Sequence, residues 1–157
     1  MKKYLTILAI VCLIVGCKKT AVEELPKKLV CSVKIFGNQE LVYKYLDNHL
    51  LFYEETYSID VENEEVISEY LSMWEEEIMY LDGIKGATVS WSISDDRTQM
   101  TYKIAIDLNV INIDDIPTDD YYYSIQYWSI VDEKNQFDVS LEKSLYEEDG
   151  YSCKIEE

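Results

Sequence analysis

The sequence predicts an α+β domain with a mainly antiparallel sheet, built from a three-strand meander plus a second hairpin, and with helices packed on one face. Two observations predict the sheet: apolar residues alternate with a period of two over residues 29–59, and again over residues 87–108. A third predicts the main helix, because residues 64–81 between these two stretches repeat with a helical period.

The meander begins near residue 29, where alternate apolar side chains share one face: Leu29, Cys31, Val33 and Ile35. Gly37-Asn38 and Asp47-Asn48 are turn signals. They separate the first strand from a second at 41–45 and a third at 50–59, which is rich in aromatic residues.

The helix has recognisable ends. Asn63 is a suitable N-cap, and Gly83 follows the last apolar position as a stop. The positions that recur at helical spacing, and should face the core, are Ile67, Tyr70, Leu71, Trp74, Ile78 and Leu81.

The second hairpin turns at residues 95–98. One face of its first strand is predicted to be buried, namely Ala87, Val89, Trp91 and Ile93. Its second strand should bury Met100, Tyr102, Ile104, Ile106 and Leu108. The helix at 64–81 is the expected cover for this apolar face.

The last third of the chain gives weaker signals. Pro117 and four aspartates mark a loop after residue 109, and residues 121–134 then fit a helix or a strand, with helix favoured. Asp138 should cap a short helix that turns Leu141 and Leu145 inward and ends at Gly150. Residues 151–155 should form a final strand.

The N-terminus predicts how the protein is localised. Lys2 and Lys3 precede an apolar run, Tyr4 to Val15, that is shorter than the roughly 20 residues a spanning helix needs. Ile14-Val15-Gly16-Cys17 looks like a bacterial lipobox, in which Cys17 is acylated and becomes the new N-terminus. We therefore expect a signal peptide at 1–16, lipidated Cys17 and a tether at 17–28, and one domain at 29–157.

This leader implies that the domain is lipid-anchored at the cell membrane and faces outside the cytoplasm. The whole chain has a net charge of −17, and loss of a leader that contains two lysines and no acid gives 12 − 31 = −19. Such a charge excludes nucleic acid as a partner, because phosphates require lysine and arginine. It should also hold the domain away from anionic lipid.

Two cysteines remain once Cys12 leaves with the leader and Cys17 is acylated. Cys31 and Cys153 lie near the two ends of the domain, and outside the cytoplasm they are most simply a disulfide that clamps the first strand to the last. Two buried free thiols are the alternative.

Known catalytic and metal-binding patterns are not found. His49, the only histidine, lies in a turn signal, and no G-x-S-x-G motif accompanies it. Asp114, Asp115, Asp119 and Asp120 could supply oxygen ligands to calcium, but the EF-hand spacing is absent. No catalytic residue, metal site or cofactor is therefore predicted.

Aromatic residues provide the one candidate binding surface. It consists of Tyr121, Tyr122, Tyr123, Tyr127 and Trp128. Exposed tyrosine and tryptophan favour recognition of proteins or sugars, whereas buried ones would be part of the core.

Several segments together resemble the YehR-like family of small bacterial lipoproteins. They are the lipobox, KLVCSVKI, the stretch from Tyr80 to Ile111 and DGYSCKI. The resemblance implies a lipid-anchored extracytoplasmic domain of unknown function, and it supplies no catalytic residues.

The expected function is that of a non-enzymatic binding or interaction module, with an envelope protein or a glycan as partner. The alternative is a small cell-envelope hydrolase that uses acidic residues. A hydrolase should have a cleft where two carboxylates converge with perturbed pKa values. A binding module should instead expose an aromatic patch.

Overall fold

Six β-strands form one antiparallel sheet in the computed structural model, which describes residues 24–34, 37–117 and 128–157. The strands are β1 (Lys27–Lys34), β2 (Asn38–Leu46), β3 (His49–Asp60), β4 (Ala87–Ile93), β5 (Gln99–Asp107) and β6 (Ser152–Glu156). Their order across the sheet is β4-β5-β3-β2-β1-β6. The predicted α+β class and mainly antiparallel sheet are confirmed.

The predicted meander and second hairpin are both present. β1, β2 and β3 pair in sequence, and β4 pairs with β5. β5 then pairs with β3, which joins the two units, and β6 returns to pair with the free side of β1. The strands start slightly earlier than predicted, since β1 already begins at Lys27, inside the expected tether.

Helix α1 (Glu64–Leu81) matches its prediction at both ends. The Asn63 side chain accepts hydrogen bonds from the backbone N–H groups of Glu65 and Val66, at 3.0 and 3.1 Å. Trp74 is buried and stacks on Tyr102 of β5, with 5.0 Å between the ring centroids. The helix therefore covers the β4–β5 hairpin, as expected.

Trp91 does not lie in the core as predicted, because its side chain is 45% exposed. β4 is an edge strand of the sheet. Trp91 pairs across the strands with Tyr102. Trp74 of the helix stacks on Tyr102 and does not cover Trp91, which stays exposed to solvent. The β5 residues that pair with the other inward positions of β4 are buried as predicted, namely Met100, Ile104 and Ile106.

Helix α2 (Val139–Glu148) is capped by Asp138 as predicted, but the prediction that Leu141 and Leu145 face inward is wrong. These leucines are 55% and 47% exposed. The opposite side of the helix carries Val139 and Tyr146, which pack against the core. Tyr146 lies against two other tyrosine rings, and this aromatic contact sets the rotation of the helix.

The sheet has one apolar and one polar face. Tyr43 and Tyr53 stand opposite each other on the inner face, under the helices. The outer face carries charged side chains, which include Lys28, Glu40, Lys44, Glu54, Lys154 and Glu156. Val30 is buried among them.

Residues 128–132 are also helical, which agrees with the helix favoured for that stretch. Residues 118–127 and the leader, with Cys17, lie outside the described residues. Within the described ranges, no helix combines the length and the hydropathy that a membrane-spanning segment requires.

The structure contains the disulfide between Cys31 and Cys153. The two cysteines face each other across β1 and β6 and are 122 residues apart in sequence. Cys31 is fully buried. The bridge therefore fastens the short edge strand β6, and with it the end of α2, to the neighbouring strand β1.

Reduction of this disulfide should lower the free energy of unfolding by about 2–4 kcal/mol, because the bridge restricts a long loop in the unfolded chain. Urea denaturation of the full chain, with and without a reductant, measures the difference. In a Cys31→Ala/Cys153→Ala variant the reductant should have no effect. An equal stability of oxidised and reduced wild-type protein would contradict the structural role of the bridge.

Candidate functional site

A pocket of about 310 Å³ lies between the inner face of the sheet and the two C-terminal helical segments. Volumes of this order are typical of small-molecule sites. β2 and β3 provide the floor, and residues from 129–146 provide the walls. The lining consists of Tyr43, Leu50, Tyr53, Ser129, Ile130, Glu133, Gln136, Phe137, Glu142 and Tyr146.

Backbone hydrogen bonds hold the wall against the floor. The N–H of Leu50 donates to the carbonyl of Lys134 at 2.6 Å, and the N–H of Phe137 donates to the carbonyl of Asn48 at 3.1 Å. Residues 134–137 are thereby fixed to the β2–β3 turn. These bonds to the hairpin satisfy part of the backbone hydrogen-bonding capacity of residues 134–137. The segment can therefore lie close to the core although it has no regular secondary structure.

Four aromatic rings line the pocket, those of Tyr43, Tyr53, Phe137 and Tyr146, and Tyr43 lies close to the other three. Its ring centroid lies 5.2 Å from Tyr53, 5.5 Å from Phe137 and 5.9 Å from Tyr146. These separations are within the range of favourable aromatic pairs. The cluster therefore ties β2, β3, the 134–137 segment and α2 together.

The phenol groups of the cluster form hydrogen bonds within the protein. The hydroxyls of Tyr43 and Tyr146 are bonded to each other. Tyr53 donates to Glu55 at 2.8 Å, which also accepts from the Gln39 amide at 2.6 Å. Because these groups already have partners, the rings are held in place before any ligand arrives.

Burial raises the pKa of Tyr43 and of Tyr53 well above the ordinary value of 10.0. Negative charge nearby acts in the same direction: the Glu55 carboxylate raises both values, and Glu142 raises that of Tyr43. These phenols therefore stay neutral at physiological pH, and they do not act as bases there.

Two carboxylates, Glu133 and Glu142, line the same pocket. The pKa of Glu142 is raised, first by partial burial and then by repulsion from Glu133 and Asp138. Within the described ranges, neither carboxylate has a hydrogen bond or an ion pair to another side chain. Glu133 and Glu142 therefore give the pocket a negative wall, and no ion pair among the described residues neutralises it.

The nearest lysines along these segments are engaged elsewhere. The Lys134 ammonium donates to the carbonyl of Leu108 at 2.9 Å. Lys143 pairs with Glu147 one turn further along α2. Of the described residues that line the pocket, none is basic.

The candidate residues named from the sequence lie in different places. Trp128 is described and 47% exposed, next to Ser129 of the pocket lining, whereas Tyr121, Tyr122, Tyr123 and Tyr127 lie outside the described residues. His49 begins β3 and is exposed. Asp114 and Asp115 lie in a short 3-10 helix (Ile113–Asp115), and Asp119 and Asp120 are outside the described residues.

Metal-binding geometry is not found in the part of the chain that the structure describes, where no group of three or more histidine, cysteine or acidic residues could hold an ion.

The aromatic pocket was not predicted from the sequence. Tyr43 and Tyr53 could be assigned to strands, but their convergence with Phe137 and Tyr146 depends on how the C-terminal segments pack. The alternation that places both tyrosines on the inner face is the one signal that pointed to them.

Comparison with known proteins supports the fold. No protein-family model and no curated protein matches the chain. A Streptococcus pneumoniae TIGR4 protein solved by NMR has a TM-score of 0.57 and 13% identity, and the match covers 89% of this chain and 92% of that one. The NMR structure of Escherichia coli YehR has a TM-score of 0.51 and 15% identity, with 85% and 93% covered. The resemblance to YehR is thus confirmed at the level of fold.

Proposed function

We propose that the protein is a lipid-anchored extracytoplasmic binding module whose ligand site is the aromatic pocket. The anchoring part of the proposal is supported by the leader, with its lysines, its short apolar run and the Gly16-Cys17 junction. The disulfide agrees with an oxidising compartment, where such bonds persist.

The binding part is supported by one observation above all, namely a preformed pocket whose rings are fixed by internal contacts. A site that is already ordered loses little conformational entropy when a ligand enters. The tyrosine hydroxyls bond to one another or to Glu55, so they serve to position the rings rather than to attack a substrate.

A hydrolase is the second candidate, and a specific observation favours it. Glu133 and Glu142 line one pocket and the pKa of Glu142 is raised, as general acid catalysis would require. The same features also suit a site for a positively charged ligand. Turnover of a glycoside or peptide substrate that is lost in Glu142→Gln would favour the hydrolase.

The anchor is tested by replacing Cys17. The full chain, expressed in a bacterium that is fed an alkyne-tagged fatty acid, should be labelled and should sediment with membranes. Cys17→Ser should lose the label, because serine offers no thiol for acylation. Cys12→Ser is the matched control and should behave like the wild type. Labelling that persists in Cys17→Ser would contradict the anchor.

The binding site is tested by blocking the pocket. A panel of small envelope constituents, including amino sugars, amino acids and organic amines, is screened by thermal shift against the wild-type protein and Ser129→Trp. At least one compound should raise the unfolding temperature of the wild type, because ligands stabilise the state they bind. The bulky side chain should abolish that shift. A panel without effect, or shifts that survive in Ser129→Trp, would contradict this assignment of the site.

A further inference from the structure

We propose that the pocket recognises an organic ammonium ion, with the cationic nitrogen over the tyrosine rings and beside the carboxylate of Glu142. The inference rests on the proposed binding function and names the chemical class of the ligand.

The rings give the first reason. Tyr43, Tyr53, Phe137 and Tyr146 all line the pocket, and Tyr43 lies within 6 Å, centroid to centroid, of each of the others. The faces of such rings attract cations, and several rings around one site form the cage that alkylammonium groups prefer. An alkylammonium ion also presents apolar methyl or methylene groups, which suit Leu50 and Ile130.

The charge gives the second reason. Glu133 and Glu142 are acidic, and the described lining contains no lysine, arginine or histidine. Glu133 is exposed, whereas Glu142 is half-buried, and a neutral or anionic ligand would leave the Glu142 carboxylate without compensation, which is costly. A cation would relieve the repulsion between the two carboxylates.

The hydrogen bonds give the third reason. A sugar is recognised largely through donors and acceptors aimed at its hydroxyl groups. Here the phenols of Tyr43 and Tyr146 are bonded to each other, and that of Tyr53 is bonded to Glu55. These phenols are therefore already engaged and are less available to the hydroxyl groups of a sugar, which favours a cation over a glycan.

The test uses choline and its neutral isostere 3,3-dimethylbutan-1-ol, which have nearly the same shape and differ in charge. Binding to the full chain in detergent micelles is followed by NMR. The N-methyl protons of choline should shift upfield, because they lie over aromatic rings, and choline should bind at least about fivefold more tightly than the isostere.

The variant Glu142→Gln removes the charge and keeps the shape of the side chain. It should weaken choline binding at least about fivefold and leave the affinity for the neutral isostere unchanged. Glu65→Gln is the matched control, since Glu65 is also in the first turn of a helix but is exposed and far along the chain from the pocket. It should bind choline like the wild type.

A folding control accompanies these measurements. At pH 7 Glu142→Gln should unfold at a higher temperature than the wild type, because glutamine carries no charge to desolvate or repel. A loss of choline binding in a protein that is more stable than the wild type is not a consequence of unfolding.

Three results would overturn the inference. Equal affinity for choline and the neutral isostere would show that charge is not recognised. Binding of an amino sugar that survives in Glu142→Gln and is lost in Ser129→Trp would assign the pocket to a glycan, and the proposed binding function would stand. If neither compound nor any sugar bound in the pocket, both the inference and the proposed function would fail.

Discussion

The contact between Tyr43 and the C-terminal part of the chain is the interaction on which the rest of the structure depends. Tyr43 stands on the inner face of the sheet, and Phe137 and Tyr146 close over it. Because aromatic pairs are held by both burial and ring geometry, this contact fixes the position of the 134–137 segment and the rotation of α2. The same contact turns Leu141 and Leu145 to the outside and Glu142 toward the pocket. The candidate site is therefore a direct product of how the domain is held together.

The charge of the chain is distributed in a way that supports this account. Lys28, Lys44 and Lys154 lie with Glu40, Glu54 and Glu156 on the outer face of the sheet, so positive and negative groups are mixed there. Two of these acids are paired, Glu54 with Lys103 and Glu156 with Lys154. On the side of the helices, the acids of the pocket have no such partners in the described residues. A positively charged ligand would thus meet an attractive wall on the helical side.

Much of the fold could be predicted from the sequence because local patterns determine it. Alternation located the strands, Asn63 and Asp138 marked helix starts, and the compartment implied by the leader made the Cys31–Cys153 bridge the simplest pairing. Burial on α2 and β4 was harder to predict, because it depends on which residues are nearby in space. On α2 the side of Tyr146 packs against the core, so Leu141 is exposed, and Trp91 is exposed because it lies on an edge strand.

The pocket itself could not be predicted, since its aromatic residues come from four separate parts of the chain. A local cluster such as 121–128 attracts attention in a sequence, whereas Tyr43, Tyr53, Phe137 and Tyr146 are scattered along it. In the sequence Glu142 is one of 31 acidic residues, and its place in the pocket with Glu133 becomes visible only in the structure.

The most direct test of the central contact is a spectrophotometric titration of the tyrosines, combined with stability measurements from pH 8 to 12. Folding favours the neutral form of Tyr43 and Tyr53, whose pKa values are raised above 10.0. Their stabilising effect is therefore complete below pH 10 and is lost as the pH rises toward the folded-state values. We predict a group of phenols that ionise only as the protein unfolds, and a phenylalanine at position 43 should reduce that group. Ionisation of all tyrosines near pH 10 in a protein that stays folded would contradict the account.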